Sequence, residues 1–356
     1  MPAFRVLAIR SPWKMLTLNG SKRELLTIDL RPYPAYTLCM TEARIPVIYQ
    51  DHHLLIVNKP AGIVIHPTYK HADGTMWDSI LMYLAEQGGD DWRPADLPDK
   101  PEWAGAPDHI RVMLREQQVV KEWKEEGLLP RPCLLHRIDK DTSGIVALAR
   151  TERARRHVIR QFHDHSIVKR YLAVVCKGAP EWTQPRVPLS VMRRGVDGQE
   201  TMLSPVDLLS THTDELLLDG PLQRDPGDRR RCIVGPGGQP AATVVKTLAV
   251  RGTYALLEAQ PVTGRTHQIR AHLSGAGYAI VGDQTYAPPA QEGTPAAGLH
   301  RQFLHAYSLE LRRYPDNERY TFVVPLADDL VAWLEAFLPE GLEAINVGKS
   351  KHAVSS

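Results

Sequence analysis

Strand-like runs alternate with helical segments along this chain of 356 residues, a pattern that allows an α+β fold. Apolar, β-leaning runs occupy residues 54–57, 145–149 and 171–175. Helical spacing of apolar residues is found at 75–84 and 151–162. The chain is long enough to bury a sizeable core, and its 43% hydrophobic and 24% charged residues are ordinary for a globular protein.

Composition argues against several classes of protein. The longest apolar stretch, Leu54 to Ile65, is interrupted by polar residues and Pro60, so we expect no membrane span. The four cysteines lie far apart without a Cys-x-x-Cys pair, which predicts neither a disulfide framework nor a cysteine zinc site and favours a reducing, cytoplasmic compartment.

The net charge of +2 is close to neutral, so any anion-binding surface has to come from local clusters. Basic residues crowd three places, namely 150–160, Lys169-Arg170 and 229–231. Each cluster by itself is more typical of a solvated face.

The chain divides into an extension, a main domain and a tail. Residues 1–45 are predicted to be a small β-rich extension, because β-like runs flank the hairpin signal Asn19-Gly20. The first 23 residues also carry basic but no acidic side chains, as an organellar transit peptide would. Residues 46–338 form the main domain, and residues 339–356, which lack periodicity, are predicted to be a mobile tail.

Two insertions are expected within the main domain, near 86–130 and 188–218. The first begins as a loop and is predicted to continue as a helix from about Asp108 to Glu126, with one apolar stripe.

A further helix is predicted to begin near Thr151, which is a suitable cap, followed by an acid in the first turn. Arg153, Arg156 and Arg160 share one face of this helix, and that face would suit phosphates.

The stretch from His136 to Gly144 is the most informative part of the sequence. It places Asp139 between an arginine and a Thr-Ser-Gly turn, with the apolar run 145–149 behind it. A carboxylate is ionised at neutral pH, so it can act as a nucleophile given orientation, desolvation and a cation, without a neighbouring base. Arg137 or a more distant arginine can supply that cation. The alternative is an aspartate that caps its own turn.

The motif His136-Arg137-Ile138-Asp139-x-x-Thr142-Ser143-Gly144 resembles the active-site signature of the RluA-type pseudouridine synthases. Three further blocks resemble the same family in the same order, and together the four span roughly residues 46–326. These blocks are the strands ending in Asn58-Lys59-Pro60-Ala61-Gly62, the strand Lys169-Arg170-Tyr171, and the segment from Gly264-Arg265-Thr266-His267-Gln268-Ile269-Arg270 through Gly282-Asp283 to Leu304-His305-Ala306.

The resemblance implies an α+β fold, a mixed, mainly antiparallel sheet flanked by helices with a central catalytic cleft. It implies that Asp139 is the nucleophile and that Arg270 pairs with it and holds it ionised. Tyr171 would stack on a uracil withdrawn from RNA and exchange a proton through its hydroxyl, although by itself this residue is also typical of a half-buried strand aromatic. Arg137 matches the residue that supports the RNA stack after the target base leaves it.

Other matched positions imply contacts with RNA. They are His136, Thr142, Lys59, Lys169, Arg265, His267 and Gln268. Lys59 is equally compatible with a surface turn, and Arg265 and Gln268 with bracing their own turn. The histidines lack an acidic partner that would complete a ligand set, so we expect no metal.

The activity implied is isomerisation of a uridine within RNA. A flipped uridine enters the pocket, and Asp139 attacks either C1′ of the sugar or C6 of the base. The uracil is released, rotates and rejoins through C5, and the C5 proton passes to Tyr171 or a water. We expect a monomer that acts on ribosomal or transfer RNA, with ribosomal RNA favoured, and that needs no cofactor.

Three other functions compete with this one. A catalytically silent RNA-binding or folding factor would keep the basic patches but would not need an aspartate paired with arginine and tyrosine. A zinc deaminase requires a Pro-Cys-x-x-Cys motif, and Pro132-Cys133 lacks the second cysteine. A metal-dependent phosphodiesterase requires a cluster of carboxylates, which Asp139 and Asp141 alone do not make.

The sequence departs from the family in a few places. Ile138 stands where a leucine is usual, and Gln239 where a lysine is common. The N-terminal extension lacks the helical first half of the S4-type RNA-binding module that many members carry.

Overall fold

The computed structural model describes residues 45–67, 73–87, 101–122, 128–194, 199–203, 208–209, 215–288 and 294–345. The predicted extension, apart from Ile45, therefore lies outside the described residues. The same holds for the loop 88–100 of the first insertion and for residues 346–356 of the tail.

The described part of the chain contains both strands and helices. The strands are β1 (Val47–Gln50), β2 (Leu54–Lys59), β3 (Leu128–Leu134), β4 (Ser143–Thr151), β5 (Val168–Lys177), β6 (Ser190–Arg194), β7 (Glu200–Met202), β8 (Glu215–Asp219), β9 (Leu222–Arg224), β10 (Cys232–Val234), β11 (Ala242–Arg251), β12 (Tyr254–Pro261), β13 (Tyr278–Ile280), β14 (Leu304–Arg312) and β15 (Arg319–Val323). The helices are α1 (Met76–Glu86), α2 (Asp108–Glu122), α3 (Glu152–His163), α4 (Gln268–Gly275) and α5 (Asp328–Phe337).

Most of the strands join one large sheet. Its order is β1-β2-β4-β14-β5-β12-β11-β8-β6-β7, while β3 pairs with β4, β13 with β5 and β15 with β14. The β4 and β14 strands run parallel, and the other pairings of described strands are antiparallel. A separate hairpin is formed by β9 and β10. The predicted α+β class with a mixed, mainly antiparallel sheet is confirmed.

The central strands bury side chains on both faces of the sheet. Successive side chains of a strand point to opposite sides, so one strand contributes to two core clusters. In β2, Leu55 and Val57 join the core cluster that contains residues of α1 and α5. Leu54 and Ile56 join the opposite cluster, which contains residues of α3. All four side chains are fully buried.

Local signals set the beginnings of two helices as the sequence predicts. The Thr75 side chain accepts from the backbone N–H of Asp78, whose carboxylate accepts from the N–H of Thr75, so α1 begins with a capping box. The Thr151 hydroxyl accepts from the N–H of Ala154 at the start of α3. Each such cap stabilises its helix by about 1 kcal/mol.

Gly144 allows the central strands to meet. Its φ is +120°, and a Cβ here would lie 2.2 Å from the carbonyl oxygen of Ala306 in β14. Any other residue would push β4 away from β14. Gly144 therefore allows β4, the strand that follows the Asp139 turn, to pair closely with β14.

The two predicted insertions take up regular structure. The helix expected in the first is present as α2, which ends at Glu122 in the described residues. Segment 188–218 supplies β6, β7 and the start of β8, which extend one edge of the sheet beyond β11.

The prediction of a mobile tail beginning at residue 339 is wrong for its first part. Residues 340–345 are helical, and Ile345 is 9% exposed in the core cluster beneath α5. Burial of apolar side chains holds this segment against the domain, although its sequence shows no long periodic pattern.

Candidate active site

Asp139 lies in the turn between β3 and β4, where the N–H of Thr142 donates to its carbonyl at 3.2 Å. Its side chain is 25% exposed and lines a cleft of about 1320 Å³. The carboxylate is thus partly desolvated yet open to the cleft.

Arg270, in the first turn of α4, connects two aspartates. Its Nη1 donates to Asp139 Oδ2 at 3.0 Å, while Nε and Nη2 donate to the two oxygens of Asp283 at 2.6 and 2.8 Å. Burial works to lower the pKa of Arg270, but the hydrogen bonds and charge of Asp283, and then the charge of Asp139, raise it above its ordinary value. Arg270 stays cationic, and the predicted pairing of Asp139 with Arg270 is confirmed.

Asp283 holds Arg270 in place, a role that no sequence motif predicted for it. Its side chain is 0% exposed, and Oδ1 also accepts from the N–H groups of Thr285 and Tyr286. Gly282 before it has a φ of +74°, and a Cβ there would lie 2.2 Å from the carbonyl oxygen of Arg301. The pair Gly282-Asp283 was a visible signal in the sequence, but nothing in it indicated the distant arginine.

Tyr286 is a second functional residue that no sequence motif predicted. Its ring lies 4.8 Å from the Arg270 guanidinium, a distance suited to a cation–π contact. Its hydroxyl donates to the carbonyl of Cys232 at 3.0 Å, accepts from the N–H of Cys232 at 2.6 Å, and lies 3.2 Å from Nδ1 of His267. No local pattern around Tyr286 predicts these contacts.

Tyr171 reaches the same cleft from the centre of β5. The strand is paired on both sides, with Ala306 of β14 and Ala259 of β12 opposite Tyr171. The side chain is 8% exposed. Burial, and secondarily the charge of Asp139, raises its pKa above the ordinary value, so the phenol is neutral.

The side chains of Arg137, Lys169, Arg265 and His267 also line the cleft. Arg137 and Arg265 are exposed. Lys169 is partly buried and donates to the carbonyl of Thr263 at 3.2 Å, and burial lowers its pKa to about 8. The cationic side chains of Arg137, Lys169 and Arg265 make this part of the cleft basic.

Lys59 does not match its expected role. It is 0% exposed, and Nζ donates to the carbonyls of Pro60, Ile63 and Lys140 at 2.8 to 2.9 Å. Three acceptors use the three N–H groups of an ammonium. Lys59 is therefore neither an RNA contact nor a surface residue; it ties the turn after β2 to the Asp139 turn.

Thr142 is also withdrawn from RNA. It is 1% exposed, and its hydroxyl accepts from Nε2 of Gln302 at 3.2 Å. His136 accepts from the N–H of Ala147 at 3.1 Å through Nε2, and burial lowers its pKa to about 3. It is a neutral ring that orients the motif against β4.

Gln268 braces the turn before α4, as one of the two sequence-based alternatives predicted. It is 4% exposed. Its side-chain oxygen accepts from the Thr263 hydroxyl at 2.6 Å and from the N–H of Arg265 at 2.9 Å, and its nitrogen donates to the carbonyl of Ala242 at 2.8 Å. With so little exposure, it does not contact RNA.

The arginines predicted to share a face of α3 are all exposed, namely Arg153, Arg156 and Arg160. Arg156 pairs with Glu152 at 2.9 Å.

The described residues contain no group of three or more His, Cys, Asp or Glu side chains placed to hold a metal. His272 is instead held by the Thr243 hydroxyl at 2.8 Å and the carbonyl of Gly220 at 3.0 Å. Among the helices in the described ranges, none has the length and apolar character needed to cross a bilayer.

Comparisons with known proteins identify the family. The family model described as RNA pseudouridylate synthase matches residues 53–275. An RNA pseudouridine synthase of Chloroflexus aurantiacus is 33% identical over 77% of this chain and 63% of its own length. A ribosomal large subunit pseudouridine synthase D of Nitrosomonas europaea is 28% identical over 82% of this chain and 64% of its own length. The chain thus spans slightly less than two thirds of each of these relatives.

A solved structure, human RNA pseudouridylate synthase domain containing 4, is 21% identical with a TM-score of 0.49, over 82% of this chain and 92% of that one. The resemblance in the sequence is confirmed, and this chain belongs to the RNA pseudouridylate synthase family, as a member of the RluA type.

Proposed function

We propose that this protein isomerises specific uridines of structured RNA to pseudouridine, with Asp139 as the nucleophile and ribosomal RNA as the favoured substrate. One observation carries the proposal: an aspartate open to a cleft is bound by an arginine that a second, buried aspartate fixes. A capping aspartate would not need this arrangement.

The geometry suits nucleophilic attack by a carboxylate. An ionised carboxylate needs no base to act as a nucleophile, and Nη1 of Arg270 donates to Asp139 at 3.0 Å and orients it. Attack falls on C1′ of the ribose or on C6 of the uracil. In either case the glycosidic C–N bond breaks, the uracil rotates, and a C–C bond forms between C5 and C1′. Tyr171, buried beside the nucleophile, offers a ring on which a flipped uracil can stack.

Recognition of RNA is supported by charge at the cleft. Arg137 and Arg265 are exposed there, and Lys169 lies deeper. Phosphate contacts from such residues release counterions, so affinity should fall steeply with salt. Flipping a uridine costs a few kcal/mol, and loops and bulges lower this cost, which favours structured RNA with unpaired uridines.

Relatives support ribosomal RNA as the substrate. Proteins of Nitrosomonas europaea, Pseudomonas aeruginosa and Zymomonas mobilis that match this chain are named ribosomal large subunit pseudouridine synthase D. Transfer RNA is the alternative substrate.

The test is tritium release from RNA labelled at uridine C5, prepared from cells that lack this protein. Ribosomal and transfer RNA are assayed as separate fractions. We expect release from ribosomal RNA by the wild type and a loss of about 10⁴-fold or more in Asp139→Asn, because the amide is not a nucleophile.

Asp141→Asn is the matched control, since it removes a carboxylate two residues away in the same turn. Equal losses in both variants would contradict a special role for Asp139. No release by the wild type from either fraction, with salt-sensitive RNA binding intact, would favour a catalytically silent RNA-binding factor. Release from transfer RNA alone would overturn the preferred substrate.

A further inference from the structure

His267 stands beside the nucleophile in a fixed position. It is the residue before α4 and has a left-handed backbone with φ of 55°. Its Nδ1 lies 3.2 Å from the hydroxyl of Tyr286, and its Nε2 lies 3.9 Å from Oδ2 of Asp139. One edge of the imidazole thus faces the protein and the other faces the reacting group.

The Tyr286 hydroxyl forms two hydrogen bonds with the backbone of Cys232. In the β9–β10 hairpin, Cys232 lies opposite Arg224, and the next pair, Asp225 with Arg231, carries a ladder hydrogen bond at 3.1 Å. Hydrogen-bonded and non-hydrogen-bonded pairs alternate in an antiparallel ladder, so the N–H and C=O of Cys232 point away from β9. Tyr286 satisfies both of these buried groups, at 2.6 and 3.0 Å.

The hydrogen bonds between Tyr286 and Cys232 determine which tautomer of His267 fits the site. A phenol has one hydrogen, and Tyr286 donates it to the carbonyl of Cys232, which would otherwise be left unsatisfied in a buried strand. The contact at 3.2 Å therefore requires Nδ1 of His267 to donate. Nε2 then carries a lone pair that faces Asp139.

The groups around His267 leave it uncharged at neutral pH. Burial lowers its pKa below the ordinary value; the charge of Asp139 works to raise it, Arg270 to lower it, Asp283 to raise it and Arg224 to lower it. The net direction is downward. A neutral imidazole with its basic nitrogen open to the nucleophile is a proton acceptor.

We propose that Nε2 of His267 accepts the proton that leaves C5 of the uracil, a role that rests on the function proposed above. The C5–H bond breaks, its electron pair forms the C5=C6 double bond, and the proton moves to Nε2. If Asp139 had attacked C1′, the N1=C6 electrons become a lone pair on N1, which takes a proton from water. If Asp139 had attacked C6, formation of the C5=C6 double bond breaks the bond between C6 and Asp139, and the carboxylate leaves with that bond's electrons. The imidazolium then passes its proton to water.

The timing of charge favours this acceptor. While Asp139 is esterified to the substrate its negative charge is absent, and the carboxylate is free again once the intermediate has resolved. An imidazolium 3.9 Å from that carboxylate is stabilised when it forms. Tyr171 is less suited to take the proton, because burial and the charge of Asp139 keep its phenol protonated.

The test compares RNA carrying protium or deuterium at the target uridine C5 in single-turnover reactions. His267→Gln keeps an acceptor near Nε2 but cannot take a proton. We expect the rate to fall about 10²- to 10⁴-fold, with a several-fold C5 isotope effect that the wild type lacks and an unchanged dissociation constant for RNA. The wild-type rate should also fall as pH drops through the His267 pKa, because protonation fills Nε2, and this dependence should vanish in the variant.

Control variants keep the outcome interpretable. His267→Asn fits the left-handed backbone better than Gln and should show the same isotope effect, which separates the role of the ring from backbone strain. His300→Gln alters an exposed histidine that does not line the cleft, and should react as the wild type. Tyr286→Phe removes the group that fixes the tautomer and should give a smaller isotope effect of the same kind.

Each other result overturns the proposal. A wild-type rate in His267→Gln, or a slower rate explained by weaker RNA binding without a C5 isotope effect, would make His267 a binding or structural residue. A wild-type protein that forms no pseudouridine would overturn the proposed function itself. Pseudouridine formed by the wild type and equally by the variant would overturn the inference alone.

Discussion

Two arginine–aspartate pairs in this protein have similar geometry in very different surroundings. Arg270 binds Asp283 through Nε and Nη2 at 2.6 and 2.8 Å, and Arg230 binds Asp228 through the same atoms at 2.9 and 2.6 Å. The side chains of the first pair are 7% and 0% exposed, while the Arg230 side chain is 86% exposed.

The difference shows that burial, more than contact distance, decides what an ion pair does. Water screens the pair at the tip of the β9–β10 hairpin, so the protein gains little from it. In the cleft, neither charge can be solvated if its partner is lost. Arg270 is therefore held in one orientation, and its third contact orients Asp139.

Breaking the buried pair should have the largest effect. In Asp283→Ala, Arg270 keeps its charge in a buried site with half of its compensation gone, so the free energy of unfolding should fall by about 3–5 kcal/mol. Denaturant unfolding measures this, and isomerase activity should be lost as well. A midpoint equal to that of the wild type would show that water or Asp139 replaces Asp283.

A milder change separates charge from shape in the same pair. Arg270→Lys keeps a cation but cannot bind Asp283 through two parallel bonds and reach Asp139 as well. Misplacement of the nucleophile should lower the single-turnover rate about 10²-fold, with a smaller loss of stability than in Asp283→Ala. If the rate were unchanged, charge alone would suffice to hold Asp139.

Lys59 extends the comparison to a buried lysine whose hydrogen-bond partners are all carbonyls. Lys59→Met should lower the free energy of unfolding by about 2 kcal/mol, because the carbonyls of Pro60, Ile63 and Lys140 lose their donor. Burial lowers the pKa of Lys59 to about 7 from its ordinary 10.5. Between these values the unfolded chain binds more protons than the folded one, so wild-type stability should rise with pH in this window.

Unfolding measured at several pH values tests this assignment. The contribution from Lys59 should be absent in Lys59→Met, whose curve is then flatter between about pH 7 and pH 10. Parallel curves for the two proteins would contradict the assigned pKa shift.

The smallest effect is expected at the exposed pair. In Asp228→Asn, Arg230 simply becomes hydrated, so the thermal midpoint and the activity should stay within error of the wild type. A clear loss of stability here would contradict the view that burial separates the two pairs. A loss of RNA affinity alone would instead point to an RNA contact at the hairpin.

Local structure was well predicted from the sequence. The starts of α1 and α3 follow from Thr75 and Thr151, because capping involves residues three positions apart. The apolar runs became β2, β4 and β5 because alternation and β-branched side chains are local properties. The pairing of Asp139 with Arg270 came from family resemblance, since 131 positions separate the two residues.

Other features could not be predicted because they depend on distant parts of the chain. Lys59 was predicted to be an RNA contact or a surface residue, but it is buried. One of its three acceptors is the carbonyl of Lys140, which lies 81 positions away along the chain. Residues 340–345 lacked a long periodic pattern, yet the core cluster covers Ile345. Short segments of this kind are ordered by tertiary packing rather than by propensity.

The sequence by itself determined the family, the nucleophile candidate and most of the strands and helices, because motifs and periodicity lie within short stretches of chain. Tertiary structure alone decided which charges are buried, how Asp283 fixes Arg270, and which groups the His267 ring contacts. The last of these depends on Tyr286 and Cys232, which are 54 positions apart. Burial and hydrogen-bond partners are properties of the folded assembly of elements, and they set the chemical state of each side chain.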